Sequence, residues 1–145
     1  MALEPIHDPR VVLFSADVLQ DRREAAELRA FALRQIRSSS ELTGPATQVA
    51  LAGAIGDVLA DRTNSELRIQ AALALGDFTH LPGVLCRLNA VCLAHAESID
   101  LRYAAFTSLE RAGPTPECVA LLRRMTTDET LGLSARSVLS AWHIE

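Results

Sequence analysis

Apolar residues recur along the chain at intervals of three and four, and polar turns separate the apolar stretches. This spacing is typical of amphipathic helices, and no stretch alternates with a period of two for long enough to be a strand. Capping residues and prolines mark where the helices begin. The eight predicted starts lie at Pro9, Asp21 (with Glu24 completing a capping box), Pro45, Asn64 or Ser65, Pro82, Ser98, Pro116 and just after Asp128. The second helix of each successive pair is predicted to end near Arg37, Phe78, Gly113 and Trp142.

A short set of residues, which we call the frame, recurs in these second helices. It is most complete at Glu66-Leu67-Arg68, followed by Ala71 and Leu75. The leucines and the alanine fall within about 80° of one helix face, so the alanine lets a neighbouring helix approach closely. The other copies are Glu27-Leu28-Arg29 with Ala32 and Ile36, Asp100-Leu101-Arg102 with Ala105 and Leu109, and a degraded copy at Thr130-Leu131-Gly132 with Ala135 and Leu139. Copy starts 39, 34 and 30 residues apart indicate a stacked helical array.

Three copies of the frame carry an arginine, at Arg29, Arg68 and Arg102. In a stack, the arginine of one copy can meet the frame acid of the next, which predicts a ladder of charges between repeats. Surface recognition by these arginines is the alternative. The fourth copy has Thr130 and Gly132 in place of the acid and the arginine, which fits a terminal repeat without a following neighbour.

The frame and its spacing resemble HEAT repeats, which are the helix-hairpin units of α-solenoids. The resemblance covers essentially the whole chain and is clearest from Ser65 to Trp142. It implies an all-α fold: one domain over residues 1–145, forming a short right-handed α-solenoid of about four antiparallel helical hairpins. The second helices would then line the concave side. HEAT-like families include scaffold and trafficking proteins, bilin lyases, metal-dependent hydroxylases, alkylated-DNA glycosylases and toxin-neutralising immunity proteins, so the resemblance specifies fold rather than function.

Composition narrows the class of protein further. The 145 residues suffice for one continuous core, and 49% of them are apolar but 4% aromatic. A net charge of −4 argues against general affinity for nucleic acid or anionic membranes. The 14 basic residues are all arginine, which we interpret as the codon bias of a GC-rich bacterial genome. Three cysteines, no apolar leader and no run of membrane-spanning length predict a soluble, cytoplasmic protein.

Sites for chemistry are sparse. The adjacent His-Glu pairs of metal-dependent hydroxylases are missing, since His95 and His143 each have one residue between them and the next glutamate. Cys92 and His95 could share a metal, but there is no C-x-x-C pair. Neither a Gly-x-Ser-x-Gly elbow nor a phosphate-binding glycine loop occurs. The sequence therefore predicts a protein without a cofactor, a metal or an enzymatic activity.

The surface opposite the frame is the remaining candidate for function. Positions two, six and nine after the first leucine of each copy hold Ala30, Arg34 and Arg37, then Ile69, Leu73 and Gly76, then Tyr103, Thr107 and Glu110, and last Leu133, Ser137 and Ser140. An apolar centre with charged edges is typical of a protein-binding patch. The predicted partner-binding residues are Arg34, Arg37, Ile69, Leu73, Tyr103, Thr107, Glu110 and Arg111, with Tyr103 as the anchor. Alternatively, the apolar members pack against neighbouring hairpins.

These observations favour a non-catalytic module that binds another protein, as an adaptor or a toxin-neutralising immunity protein. A helical-repeat binder of nucleic acid, or a DNA-repair-type enzyme, is the alternative. A basic stripe across Arg29, Arg34, Arg37 and Arg68 would distinguish it. The sequence does not identify the partner.

Overall fold

The protein is all-α, as the sequence predicts. The computed structural model describes residues 9–39 and 44–144, of which 73% are helical, and those residues contain no strand. The helices are α1 (Pro9–Gln20), α2 (Ala26–Ser39), α3 (Pro45–Ala60), α4 (Ser65–Ala74), α5 (Val84–Cys92), α6 (Ile99–Glu110), α7 (Pro116–Met125) and α8 (Gly132–Ala141). A short 3-10 helix, Leu75–Phe78, continues α4.

Three helix starts have side-chain caps, of which Asn64 and Ser98 were predicted and Thr115 was not. Asn64, Ser98 and Thr115 each accept a hydrogen bond through their side-chain oxygen from the backbone N–H three residues later, at 3.0–3.2 Å. Such a cap satisfies one of the backbone donors that the first turn of a helix leaves without a partner. The local sequence was therefore sufficient to position α4, α6 and α7.

Two other predicted starts are wrong. Asp21 does not cap α2, which begins five residues later at Ala26. Its carboxylate instead accepts a hydrogen bond from the backbone N–H of Arg23 at 3.0 Å, which shapes the turn after α1. The helix expected at Pro82 begins at Val84, because Gly83 adopts a left-handed conformation with φ 86°.

The helices pack in successive pairs around one continuous core. Within pairs, α1 contacts α2, α3 contacts α4, α5 contacts α6 and α7 contacts α8. Between pairs, α1 contacts α3, α2 contacts α4, α4 contacts α6 and α5 contacts α7. The core consists mainly of alanine and branched aliphatic side chains. It includes the frame residues Ala32, Ile36, Leu67, Ala71, Leu75, Leu101, Ala105, Leu109, Leu131, Ala135 and Leu139, whereas Leu28 is exposed.

The three frame arginines share one hydrogen bond, and each also approaches an acid of the next helix pair. Their Nε atoms donate to a backbone carbonyl in the last turn of the preceding helix, at 2.8 Å in all three cases. Those carbonyls belong to Leu19, Leu59 and Cys92 and would otherwise lack an intrahelical donor. The terminal nitrogens reach an acid in the turn of the next helix pair. These ion pairs are Arg29 with Asp61 at 4.0 Å, Arg68 with Glu97 at 2.9 Å and Arg102 with Asp128 at 3.1 Å.

The charge ladder is thus present, but its acids are not the predicted ones. The frame acids Glu27, Glu66 and Asp100 are all exposed. In each copy the acid stands two positions before the arginine, and residues two apart on a helix do not share a face. When the arginine turns toward the next pair, the frame acid therefore points elsewhere. The turns inside the helix pairs supply the acids instead.

The fourth copy replaces the arginine by a direct backbone contact. A Cβ on Gly132 would lie 2.7 Å from the carbonyl oxygen of Thr126, which follows the last residue of α7. Glycine thus lets α8 lie against the end of α7, where the other copies insert an arginine side chain. Any larger residue would require the backbone to move.

Candidate functional site

The exposed faces of α2, α4, α6 and α8, which we call the second-helix surface, carry the residues predicted to bind a partner. Tyr103 on α6 is 40% exposed, and its hydroxyl donates to the carbonyl oxygen of Thr130 at 3.3 Å. Leu133 has the same frame position on α8 and is 72% exposed. The predicted site omitted Leu133, although its frame position, two residues after the first leucine, was the signal that selected Tyr103.

The predicted apolar residues of α4 contribute less open surface. Ile69 and Leu73 are half-buried and pack against the core. Much of the surface of these two side chains is therefore buried against neighbouring helices, as the alternative interpretation holds. Thr107 on α6 is exposed, and its hydroxyl donates to the carbonyl oxygen of Tyr103 at 3.0 Å.

Arg37 and Arg111, two of the predicted charged edge residues, both bind the carboxylate of Asp77, which the prediction did not include. Nε of Arg37 donates to one oxygen of Asp77 at 3.2 Å, and Nη2 of Arg111 donates to the other at 2.7 Å. Asp77 belongs to the 3-10 helix and is half-buried, so the cluster joins α2 to the end of α6. A Cβ on Gly76 would lie 2.6 Å from Nη1 of Arg111, so glycine leaves room for this side chain.

The remaining predicted residues extend the same surface. Tyr103, Thr107, Glu110 and Arg111 follow one another at spacings of four, three and one, which places them along one face of α6. Glu110 is exposed there. Arg34 is exposed on α2, where its guanidinium lies 5.9 Å from the ring centroid of Phe31. The face of α6 that carries Tyr103 thus ends at Arg111, which belongs to the Arg37–Asp77–Arg111 cluster.

The basic stripe that would favour nucleic acid does not form. Arg29 is buried and Arg68 is nearly so, and both are engaged with backbone carbonyls and acids. Arg37 lies against Asp77. Of the four arginines named for this alternative, Arg34 has its charge most accessible to a polyanion.

The charged and thiol groups near the turns have structural roles. The two hydrogen bonds from Arg68 hold the pKa of Glu97 below its ordinary value. Burial raises the pKa of the Cys92 thiol to about 12 and that of Cys118 to about 11. Such thiols are almost fully protonated at neutral pH and are poor nucleophiles and poor metal ligands.

The possible Cys92–His95 metal site is not assembled. The Cys92 thiol donates to the carbonyl oxygen of Arg102, at 3.8 Å, whereas Nε2 of His95 lies 3.4 Å from Asp128. Over residues 9–39 and 44–144, no three His, Cys, Asp or Glu side chains come together in a group that could hold a metal ion.

A second concave region, which the sequence did not indicate, opens between α3 and α5. An apolar cavity of about 350 Å³ is lined by residues that include Val49, Leu81 and Val84. Arg87 borders this cavity and lies across Gly56, whose lack of a side chain makes room for the guanidinium. This cleft is on a different pair of helices from the second-helix surface, so the two can be tested separately.

Comparison with protein-family models, with curated proteins and with solved structures found no match to this chain. Among the helices described, none has the length and apolar character needed to cross a membrane. The structure defines an all-α protein of packed helix pairs that are linked by a ladder of arginines.

Proposed function

We propose that this chain is a HEAT-like, right-handed α-solenoid of four antiparallel hairpins that binds another protein and catalyses no reaction. Support for the architecture comes from the three equivalent arginine contacts, because the same side chain joining each pair to the next is what a repeated unit produces. The second-helix surface would then be the concave side.

The observation that carries the function is the exposure of Tyr103 on α6 and of Leu133 on α8. Scattered exposed apolar residues are normal on any protein. These two, however, occupy the same frame position on α6 and α8. The face of α6 that carries Tyr103 also ends at Arg111 of the Arg37–Asp77–Arg111 cluster. Tyrosine is a frequent interface anchor because it offers a large apolar area with few torsions to freeze.

Within this class, the protein is an adaptor or a toxin-neutralising immunity protein that acts in the bacterial cytoplasm. The net charge of −4 suits a partner with a basic surface. A toxin gene next to the gene for this chain would decide between these two roles.

Site-specific photo-crosslinking in the source cells tests the proposal. A photoreactive phenylalanine analogue would replace Tyr103 or Leu133 in separate variants, with Val49 on α3 as the matched control, because Val49 is also largely exposed. We expect light-dependent adducts with one protein from positions 103 and 133. Adducts from position 49 alone would place binding at the α3–α5 cleft, and adducts with nucleic acid would favour the helical-repeat nucleic-acid binder. Either result overturns the proposal.

A further inference from the structure

The pair α1–α2 exposes apolar side chains at positions that the pair α3–α4 buries. The pairs can be aligned residue by residue, because Leu19 and Leu59 accept equivalent hydrogen bonds from Arg29 and Arg68. In this register Val11, Phe14 and Leu28 correspond to Leu51, Ala54 and Leu67. The first three side chains are 44–67% exposed, and the second three are at most 3% exposed.

The buried positions of α3 and α4 belong to helices that pack directly against α1 and α2. Val11, Phe14 and Leu28 of the first pair correspond to those buried positions. Together with Phe31, three residues beyond Leu28 on α2, they form a surface that we call the end face. Over residues 9–39 and 44–144, its side chains remain largely open to solvent. It is therefore a surface built like an interior contact between helix pairs.

The charged residues beside this face change from acidic at one end to basic at the other. On α2, helical spacing places Leu28, Phe31 and Arg34 along one stripe, which runs from apolar to basic. Glu24 precedes the first turn of α2 and Arg34 lies in the second half of the helix, stacked on Phe31. On α1, Asp17 lies one turn beyond Phe14 toward the same interhelical turn. The turn end of the face is thus acidic and the far end is basic.

Asp21 adds a further acceptor at the acidic end. It occupies the turn position at which Asp61 and Asp128 receive an arginine from the preceding pair. All three carboxylates accept a hydrogen bond from the backbone N–H two residues later, so their turns are built alike. The arginine near Asp21, however, is Arg23 of the same turn, at 3.3 Å.

We propose that the end face is the interface of a homodimer, in which two copies pack their α1–α2 pairs together about a twofold axis. A twofold axis through the apolar centre lays the acidic end of one copy over the basic end of the other. Arg34 of each copy then faces the acids of its partner, while Phe14 and Phe31 are buried between them. Continued head-to-tail stacking is disfavoured, because α8 carries Gly132 where an arginine for Asp21 would be needed.

Sedimentation velocity over a range of protein concentrations measures this association directly. We expect the full chain to form dimers and the double variant Phe14→Ser/Phe31→Ser to sediment as a monomer with an unchanged far-ultraviolet circular dichroism spectrum. Both side chains are at least half exposed, so their loss should leave the fold intact. Tyr103→Ser is the matched control, because it removes an exposed ring from the second-helix surface and should leave the dimer unchanged.

Charge reversal tests the twofold arrangement itself. Arg34→Glu and Glu24→Arg should each raise the dimer dissociation constant by about tenfold or more, because each places like charges opposite one another. The double variant Arg34→Glu/Glu24→Arg should associate more tightly than Arg34→Glu alone, because positions 34 and 24 then attract one another again while Asp17 and Asp21 keep their charge. Rising sodium chloride should weaken the wild-type dimer.

Three results would overturn the inference. The first is a wild-type chain that stays monomeric at every concentration. This holds even if a chain lacking residues 1–8 dimerises, because that result would mean that the chain itself covers the face. The second is a dimer that survives Phe14→Ser/Phe31→Ser or is lost on Tyr103→Ser. The third is a double variant Arg34→Glu/Glu24→Arg that associates no more tightly than Arg34→Glu alone.

Discussion

Arg68 and Glu97 form a two-pronged ion pair between one helix pair and the next. Nη1 and Nη2 of Arg68 each lie 2.9 Å from one oxygen of Glu97, while Nε donates to the carbonyl oxygen of Leu59. Parallel charge-assisted bonds of this kind fix geometry as well as contribute energy. One side chain therefore ties together the end of α3, the start of α4 and the turn before α6.

Removal of this arginine should destabilise the protein. We expect Arg68→Met to lower the free energy of unfolding by about 2–4 kcal/mol, because it leaves a largely buried carboxylate and a carbonyl without their donor. Urea denaturation measures the loss. Glu66→Gln is the control, because Glu66 is the exposed frame acid and its change should stay within about 0.5 kcal/mol. Equal losses of unfolding free energy in the two variants would mean that Arg68 pairs with the frame acid Glu66 and not with Glu97.

The frame alanines should tolerate no enlargement. Ala71 and Ala105 are fully buried at contacts between helices. Ala71→Leu or Ala105→Leu should therefore cost about 1–3 kcal/mol through overpacking. Ala120→Leu on α7 is the matched control, because Ala120 is exposed and a helical leucine there is well tolerated. Denaturant midpoints that shift equally in all three variants would mean that the alanines are not the packing seam.

Stability should fall in acid, in part through Glu97. The hydrogen bonds from Arg68 hold the pKa of Glu97 below its ordinary value of 4.5 in the folded protein. A group whose pKa is lowered by folding adds stability that is complete above its ordinary pKa and is lost as pH falls through its folded-state pKa. The stability difference between wild type and Glu97→Gln should therefore shrink between about pH 6 and about pH 2. A constant difference over that range would contradict the pairing.

The three cysteines should differ sharply in reactivity. Cys86 is exposed, whereas Cys92 and Cys118 are buried with raised pKa values. Ellman's reagent at mildly alkaline pH should label about one thiol per chain quickly and the other two after unfolding. Cys86→Ser should abolish the fast phase. Rapid labelling that persists in this variant would show that a buried thiol opens to solvent under native conditions.

Tyr103 should matter for binding and little for folding. Its ring is partly exposed and its hydroxyl bond to Thr130 is at the surface, so Tyr103→Ala should cost about 1 kcal/mol of stability or less. Binding of a crosslinked partner should weaken by about 2 kcal/mol or more. Arg37→Ala should act mainly on the association rate and its salt dependence. A Tyr103→Ala variant that unfolds would identify the ring as core, and one that binds normally would move the interface elsewhere.

The sequence by itself determined the helices and most of the packing seam. Helical periodicity and capping depend on residues three or four apart, so Asn64 and Ser98 could be recognised as caps without any knowledge of the tertiary structure. The same local spacing identified Ala71 and Ala105 as contact residues. Tyr103 was placed on the surface for the same reason, since positions on a helix opposite a buried face point to solvent.

The tertiary structure alone decided which distant groups meet. Arg68 and Glu97 are 29 residues apart, and Arg37 and Asp77 are 40 residues apart. Any of several acids could have paired with these arginines, because helical spacing fixes the direction of a side chain but not the neighbour that it meets. The exposure of Leu28, beside buried Leu67 and Leu101 in the same frame, has the same origin. A local pattern specifies that a residue can be buried, and the arrangement of the helices determines whether another helix covers it.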